Sequence, residues 1–102
     1  MSEPVAVLAK IPALPGKRAE LMEALRVGLE TAQGETGTRY YIMHEDATDP
    51  DAVWFYELYE SQDALVEHGS SEAFKALGAA VRPFGAGRPE LTFLKPVGGK
   101  GL

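Results

Sequence analysis

Two segments in the middle of this chain, TRYYIMHE (residues 38–45) and VWFYELYE (residues 53–60), lie in a window that holds six of its nine aromatic residues. Each carries large apolar or aromatic side chains at odd and even positions alike. A β-strand projects successive side chains to opposite faces, so strands of this kind leave no face for water. Both faces of the sheet must be covered. The remaining chain offers two helical segments, enough for one face, and the other calls for a second copy of the protein or a ligand.

The 102 residues make one domain, long enough to bury roughly 60 to 70% of the surface of the unfolded chain. With 45% hydrophobic and 25% charged residues, an ordinary hydrophobic core suffices. Cysteine is absent, which excludes disulfides, thiolate metal sites and a cysteine nucleophile. No apolar run approaches the roughly 20 residues of a membrane span, and MSEPVAVLAKIP has no basic segment ahead of a long apolar stretch. A cytoplasmic protein with no membrane partner is expected. The net charge is −5 and the ten Lys and Arg are scattered, so nucleic acid is not an expected partner.

Val5 to Ile11 is β-branched and aliphatic, ends at Pro12 and predicts a first strand. After the Pro15-Gly16 turn, Leu21, Met22, Leu25, Leu29 and Ala32 recur at helical spacing between Lys17 and Gln33. Gly34 and Gly37 close that helix and lead into the strand Thr38–Glu45. The segment DATDPDA reads as a hairpin loop into the strand Val53–Glu60. Ser61 predicts the cap of a short helix running to His68 and interrupted at Gly69. Ser70 or Ser71 caps a second piece with Phe74, Leu77 and Val81 on one stripe, ended by Pro83. Leu91–Lys95 predicts a fourth strand, and residues 98–102 a flexible tail.

The resulting β-α-β-β-α-β order is the ferredoxin-like α+β arrangement, a four-stranded antiparallel sheet with its helices on one face. Two such sheets meeting face to face form a dimeric α/β barrel, which accounts for the two-sided aromatic strands.

The stretch PALPGKRAEL, a helix followed by ETG and a tyrosine-bearing strand, the hairpin DATDPDAVWFYELYES, and QDALVEH ahead of a helix containing Phe74 together resemble the antibiotic biosynthesis monooxygenase domain. The similarity covers about residues 5 to 97. It implies a homodimer with a pocket between sheet and helices, and oxidation of quinols or aromatic polyketides by molecular oxygen without flavin, haem or metal. Residue by residue, the family's strand-three pattern corresponds to Tyr56-Glu57-Leu58-Tyr59, with Tyr59 in place of tryptophan. The family histidine corresponds to His68 and the strand-two tyrosine to Tyr41. Haem-degrading members pair their histidine with a tryptophan and a first-strand asparagine; VAVLAKI has no asparagine, which disfavours that branch.

His68 is the strongest catalytic candidate, since an imidazole beside a helix break can reach a pocket edge and take a proton from a phenol. The bland alternative is a surface histidine capping helix carbonyls. Glu57 shares a strand face with Val53, Phe55 and Tyr59, where a carboxylate is costly unless paired. An ion pair with Arg39 or Lys10 is the favoured explanation, and orientation of a substrate the functional one. Trp54, Tyr40 and Tyr56 read as core or dimer interface.

Other signals fail. His44 and Glu45 point to opposite faces, so no metal site is expected. Asp46, Asp49 and Asp51 lack the glycine and terminal glutamate of a calcium loop. Neither Gly85-Ala86-Gly87 nor Gly98-Gly99-Lys100-Gly101 forms a phosphate cradle, and no serine occupies a nucleophile elbow.

The sequence therefore predicts a cofactor-independent monooxygenase acting on a small electron-rich aromatic. His68, Tyr59 and Glu57 are the catalytic set; Tyr41, Phe55 and Phe74 bind the substrate. The rival expectations are a non-catalytic dimeric barrel that binds a small aromatic, and another chemistry of the same superfold such as lactone isomerisation.

Overall fold

The computed structural model describes residues 3–102. Its elements are β1 (Val5–Pro12), α1 (Arg18–Gln33), β2 (Thr38–Glu45), β3 (Ala52–Tyr59), α2 (Gln62–Ser70), α3 (Glu72–Val81) and β4 (Glu90–Leu94). The four strands form one antiparallel sheet in the order β2-β3-β1-β4. This is the ferredoxin-like arrangement, with the second helical segment divided in two.

Packing follows the alternation of the strands. On the helix side, Val53 and Phe55 of β3 and Ala9 of β1 meet Leu21 and Leu25 of α1 and Leu77 of α3. Gly28 lets α3 approach α1 closely, because a Cβ there would stand 2.7 Å from Leu77 Cδ2. The β2–β3 loop is tied to the start of α1: Arg18 donates to Asp49 O at 2.9 Å and pairs with Glu45 at 2.6 Å. Asp46 accepts from the Thr48 and Asp49 backbone N–H groups and, at 2.7 Å, from Trp54 Nε1. Those bonds hold its carboxyl well below the ordinary carboxylate range. The acidic loop thus spends its carboxylates on its own turn, on Trp54 and on the Gly16 backbone N–H ahead of α1.

Two local features depart from the expected pattern. The helix break falls at Ser71, not Gly69, which lies within α2. Ser71 donates its hydroxyl to His68 O at 3.0 Å and accepts from Phe74 N at 3.1 Å, so one side chain closes α2 and caps α3. The second feature is a bulge in β2 between Thr38 and Tyr40, where Thr38 opposes Tyr59 and Tyr40 opposes Leu58. The extra residue returns Tyr41 to the face of Glu57.

The opposite face carries no helix. Its cross-strand rows run Tyr40, Leu58, Ala6, Leu94 and then Ile42, Tyr56, Leu8, Thr92. Tyr40, Ile42 and Leu94 are each more than 40% exposed there. Lys100, Gly101 and Leu102, in the stretch expected as a flexible tail, lie along this face, and Tyr40 Oη donates to Gly101 O at 3.4 Å. No helix among the described residues is long and apolar enough to cross a membrane.

Candidate active site

Between the helix side of the sheet and the helices lies a cavity of about 410 Å³, within the range typical of small-molecule sites. Strands β1, β3 and β4 form its floor through Val7, Phe55, Glu57 and Phe93; Leu25 of α1 and Leu77 of α3 form its roof. The lining is almost wholly apolar. Its polar side chains are Tyr41, Glu57, Gln62 and His68, and no lysine or arginine contributes. The rim lies at the β4 edge, where Leu91 and Phe93 are more than half exposed.

His68 lies on the inner side of the last turn of α2 and is buried, with 8% of its surface exposed. It lines the cavity and is not a surface cap. Helical phase places it there: residues at this spacing from Ala64 and Leu65 turn toward the sheet. Three aromatic rings surround the imidazole, Tyr41 at 5.1 Å, Tyr59 at 5.3 Å and Phe74 at 5.1 Å between centroids. Nδ1 lies 2.8 Å from Glu35 Oε1, while Nε2 is buried with no hydrogen-bond partner. An unsatisfied buried nitrogen costs about 1–3 kcal/mol, which a ligand hydroxyl reaching it would recover.

Glu57 is also buried, and its partner is neither Arg39 nor Lys10. Arg39 lies near Glu60 at 3.9 Å, and Lys10 sits over the Trp54 ring on the other face. Glu57 Oε1 instead accepts from Tyr59 Oη at 2.6 Å, two residues along the same strand face. Burial raises the Glu57 pKa above its ordinary 4.5, outweighing the Tyr59 hydrogen bond and the His68 charge that lower it. Burial, and then the charges of Glu57 and Glu35, push the Tyr41 phenol well above its usual range; burial and Glu57 do the same for Tyr59. Both phenols therefore remain O–H groups at neutral pH.

Of the six residues predicted from the sequence, His68, Glu57, Tyr41, Phe55 and Phe74 line the cavity, with the Tyr41 and Phe55 rings tilted at 39° and 4.7 Å between centroids. Tyr59 does not. It is fully buried behind Glu57 and His68, so its reach is to Glu57 and not to a ligand ring. Sequence reasoning missed Glu35, which stands 33 residues from His68 in the chain. The one available signal was a carboxylate in a connection of four residues between α1 and β2, a place where a turn needs no acid.

The sequence profile of the antibiotic biosynthesis monooxygenase family matches residues 4–80. Rv0793 of Mycobacterium tuberculosis is 37% identical over 71 residues, covering 70% of this chain and 69% of that protein. Its solved structure superposes with a TM-score of 0.85 over 95% of this chain and 98% of that one, at 30% identity. A Caulobacter crescentus structure assigned to the same family gives a TM-score of 0.87 at 33% identity, over 95% of this chain and 92% of that one. PA3566 of Pseudomonas aeruginosa, 24% identical, shares the fold with a TM-score of 0.85, covering 96% of this chain and 98% of that one.

Proposed function

The chain belongs to the antibiotic biosynthesis monooxygenase family, and from that premise we propose that it oxidises a small, electron-rich, uncharged aromatic such as a quinol with molecular oxygen, without a cofactor. The observation that carries this reading is a buried imidazole with one nitrogen held by a carboxylate and the other unpartnered, in the wall of an apolar cavity. The lack of any cation in that wall favours an uncharged ligand, since a carboxylate or phosphate would be buried beside Glu57 without compensation.

His68 Nε2 takes the proton of the substrate hydroxyl. The resulting phenolate is electron-rich enough to reduce oxygen by one electron, and recombination forms a carbon–oxygen bond. Loss of the ring C–H proton then breaks the O–O bond, and that proton and the one held by His68 both go to the departing oxygen, which leaves as water. The balance is quinol plus dioxygen giving hydroxyquinone plus water. Tyr41 donates a hydrogen bond to the developing charge, Glu57 orients the distal hydroxyl, and Phe55 and Phe74 flank the ring. Phe74, exposed at 41% and beside the imidazole, is the side chain whose movement gives the ligand access to Nε2.

The protein acts as a homodimer in this reading, with the helix-free sheet face as the contact. An oxygen electrode tests the chemistry: metal-free protein is presented with a panel of quinols and hydroxylated polycycles. Uptake above the protein-free rate supports the oxygenase. Tight binding of the same compounds with no uptake sinks it in favour of a binding module.

A further inference from the structure

We infer that Glu35 is a positioning residue for His68, and that the connection between α1 and β2 is built to deliver it. This rests on the reading of His68 as the base and extends it to a residue outside the cavity lining. Glu35 Oε1 lies 2.8 Å from His68 Nδ1 and also accepts from Thr38 Oγ1 at 2.9 Å. The carboxylate is therefore held from two sides, and its side chain is only 22% exposed.

A carboxylate accepts and does not donate, so the proton of a neutral His68 is placed on Nδ1. The lone pair then belongs to Nε2, the nitrogen that has no partner among the described residues. When Nε2 gains a proton, the imidazolium faces the Glu35 charge across the shared hydrogen bond and lies at the C-terminal end of α2, where a positive charge is favoured. The other titratable groups around the ring are Tyr41 from β2 and Glu57 and Tyr59 from β3. Both phenols stay protonated, and Glu57 is engaged by Tyr59. Among the described residues, Glu35 alone contacts an imidazole nitrogen.

The backbone explains how Glu35 arrives there. Gly37 packs against α2 so closely that a Cβ would stand 2.6 Å from Ala64 Cβ. Its carbonyl accepts from Glu60 N at 2.9 Å, which pins the connection to the end of β3. With Gly37 against Ala64, one turn before His68 on the same helix, Glu35 is brought beneath the imidazole.

Nitrogen-15 NMR of the two histidine rings in the full-length protein tests this, with exposed His44 as the internal reference. Neutral wild-type His68 should carry its proton on Nδ1. Glu35→Gln, whose amide can donate as well as accept, should release that preference and give a mixed or inverted tautomer. Thr38→Val, which keeps the charge but removes its second anchor, should shift His68 in the same direction by less. If a quinol substrate is in hand, Glu35→Gln should lower kcat by roughly 10-fold or more with KM little changed, as for lost orienting partners of functional histidines. A wild-type neutral His68 protonated on Nε2, or an unchanged tautomer in Glu35→Gln, overturns the assignment. Correct tautomers in a protein that consumes no oxygen would instead leave the pair standing and remove the oxygenase reading.

Discussion

Strand β3 presents two sheet faces that differ by one residue in register and by everything in use. Val53, Phe55, Glu57 and Tyr59 lie under the chain's own helices, each less than 10% exposed, and among them sits the polar chemistry of the cavity. Trp54 and Tyr56, pointing the other way, are only half buried, and their neighbours Tyr40 and Ile42 are exposed. Aromatic content alone does not distinguish the two faces. What distinguishes them is where the chain places its helices, and hence which side encloses a site and which is left for association.

The largest expected effect comes from deleting a ring on each side. Phe55→Ala removes a side chain that is 1% exposed and should cost about 3–5 kcal/mol, enough to threaten folding of a domain with the usual marginal stability. Tyr56→Ala on the half-buried side should cost clearly less in denaturant unfolding at concentrations where the chain is monomeric. Equal losses would mean that the helix-free face is as much a core as the other.

Association is next. Ile42→Glu places a charge amid the exposed apolar row of that face, and should convert a particle of about twice the 11.0 kDa chain mass to a monomer in light scattering. Its circular dichroism should remain that of the wild type. A wild-type protein that is itself a monomer at micromolar concentration would show instead that the face tolerates water, with only Lys100, Gly101 and Leu102 along it.

On the helix side, His68→Gln should lower turnover on an identified quinol by roughly 100-fold, the scale of a lost general base. Because His68 is buried and bonded to Glu35, the folded state of this variant must be verified by its unfolding midpoint. Turnover within a few-fold of wild type would leave Glu57 or simple ionisation of the substrate as the source of the phenolate.

The sequence made the element order and the strand pair legible because alternation and helical spacing are local signals. Thr38–Glu45 came out at both ends, Ser61 was readable as a cap from its own chemistry, and the choice left open between Ser70 and Ser71 falls to Ser71. What was not legible depended on contacts between distant residues. No spacing rule joins Glu35 to His68, and nothing before the fold places Gly37 against Ala64. The break at Ser71 was misplaced to Gly69 because backbone freedom was weighed above a hydroxyl that satisfies two helix ends. For Glu57 the charge favours Arg39 or Lys10 as a partner, whereas the structure gives it a neutral phenol two residues away on the same strand face.

That last pair gives the smallest and most specific prediction. Burial raises the Glu57 pKa above 4.5, so between 4.5 and the raised value the folded state binds more protons than the unfolded one. Stability contributed by this group is therefore fully present below pH 4.5, declines as pH rises through the window, and levels off above it. Glu57→Gln keeps an oxygen to accept the Tyr59 hydroxyl but removes the titration. Its thermal midpoint should match wild type near pH 4 and exceed it slightly at pH 8. A variant that loses stability equally at both pH values would show that Glu57 is held as a well-compensated carboxylate, and that the polar centre of the enclosed face is stabilised by charge as well as by burial.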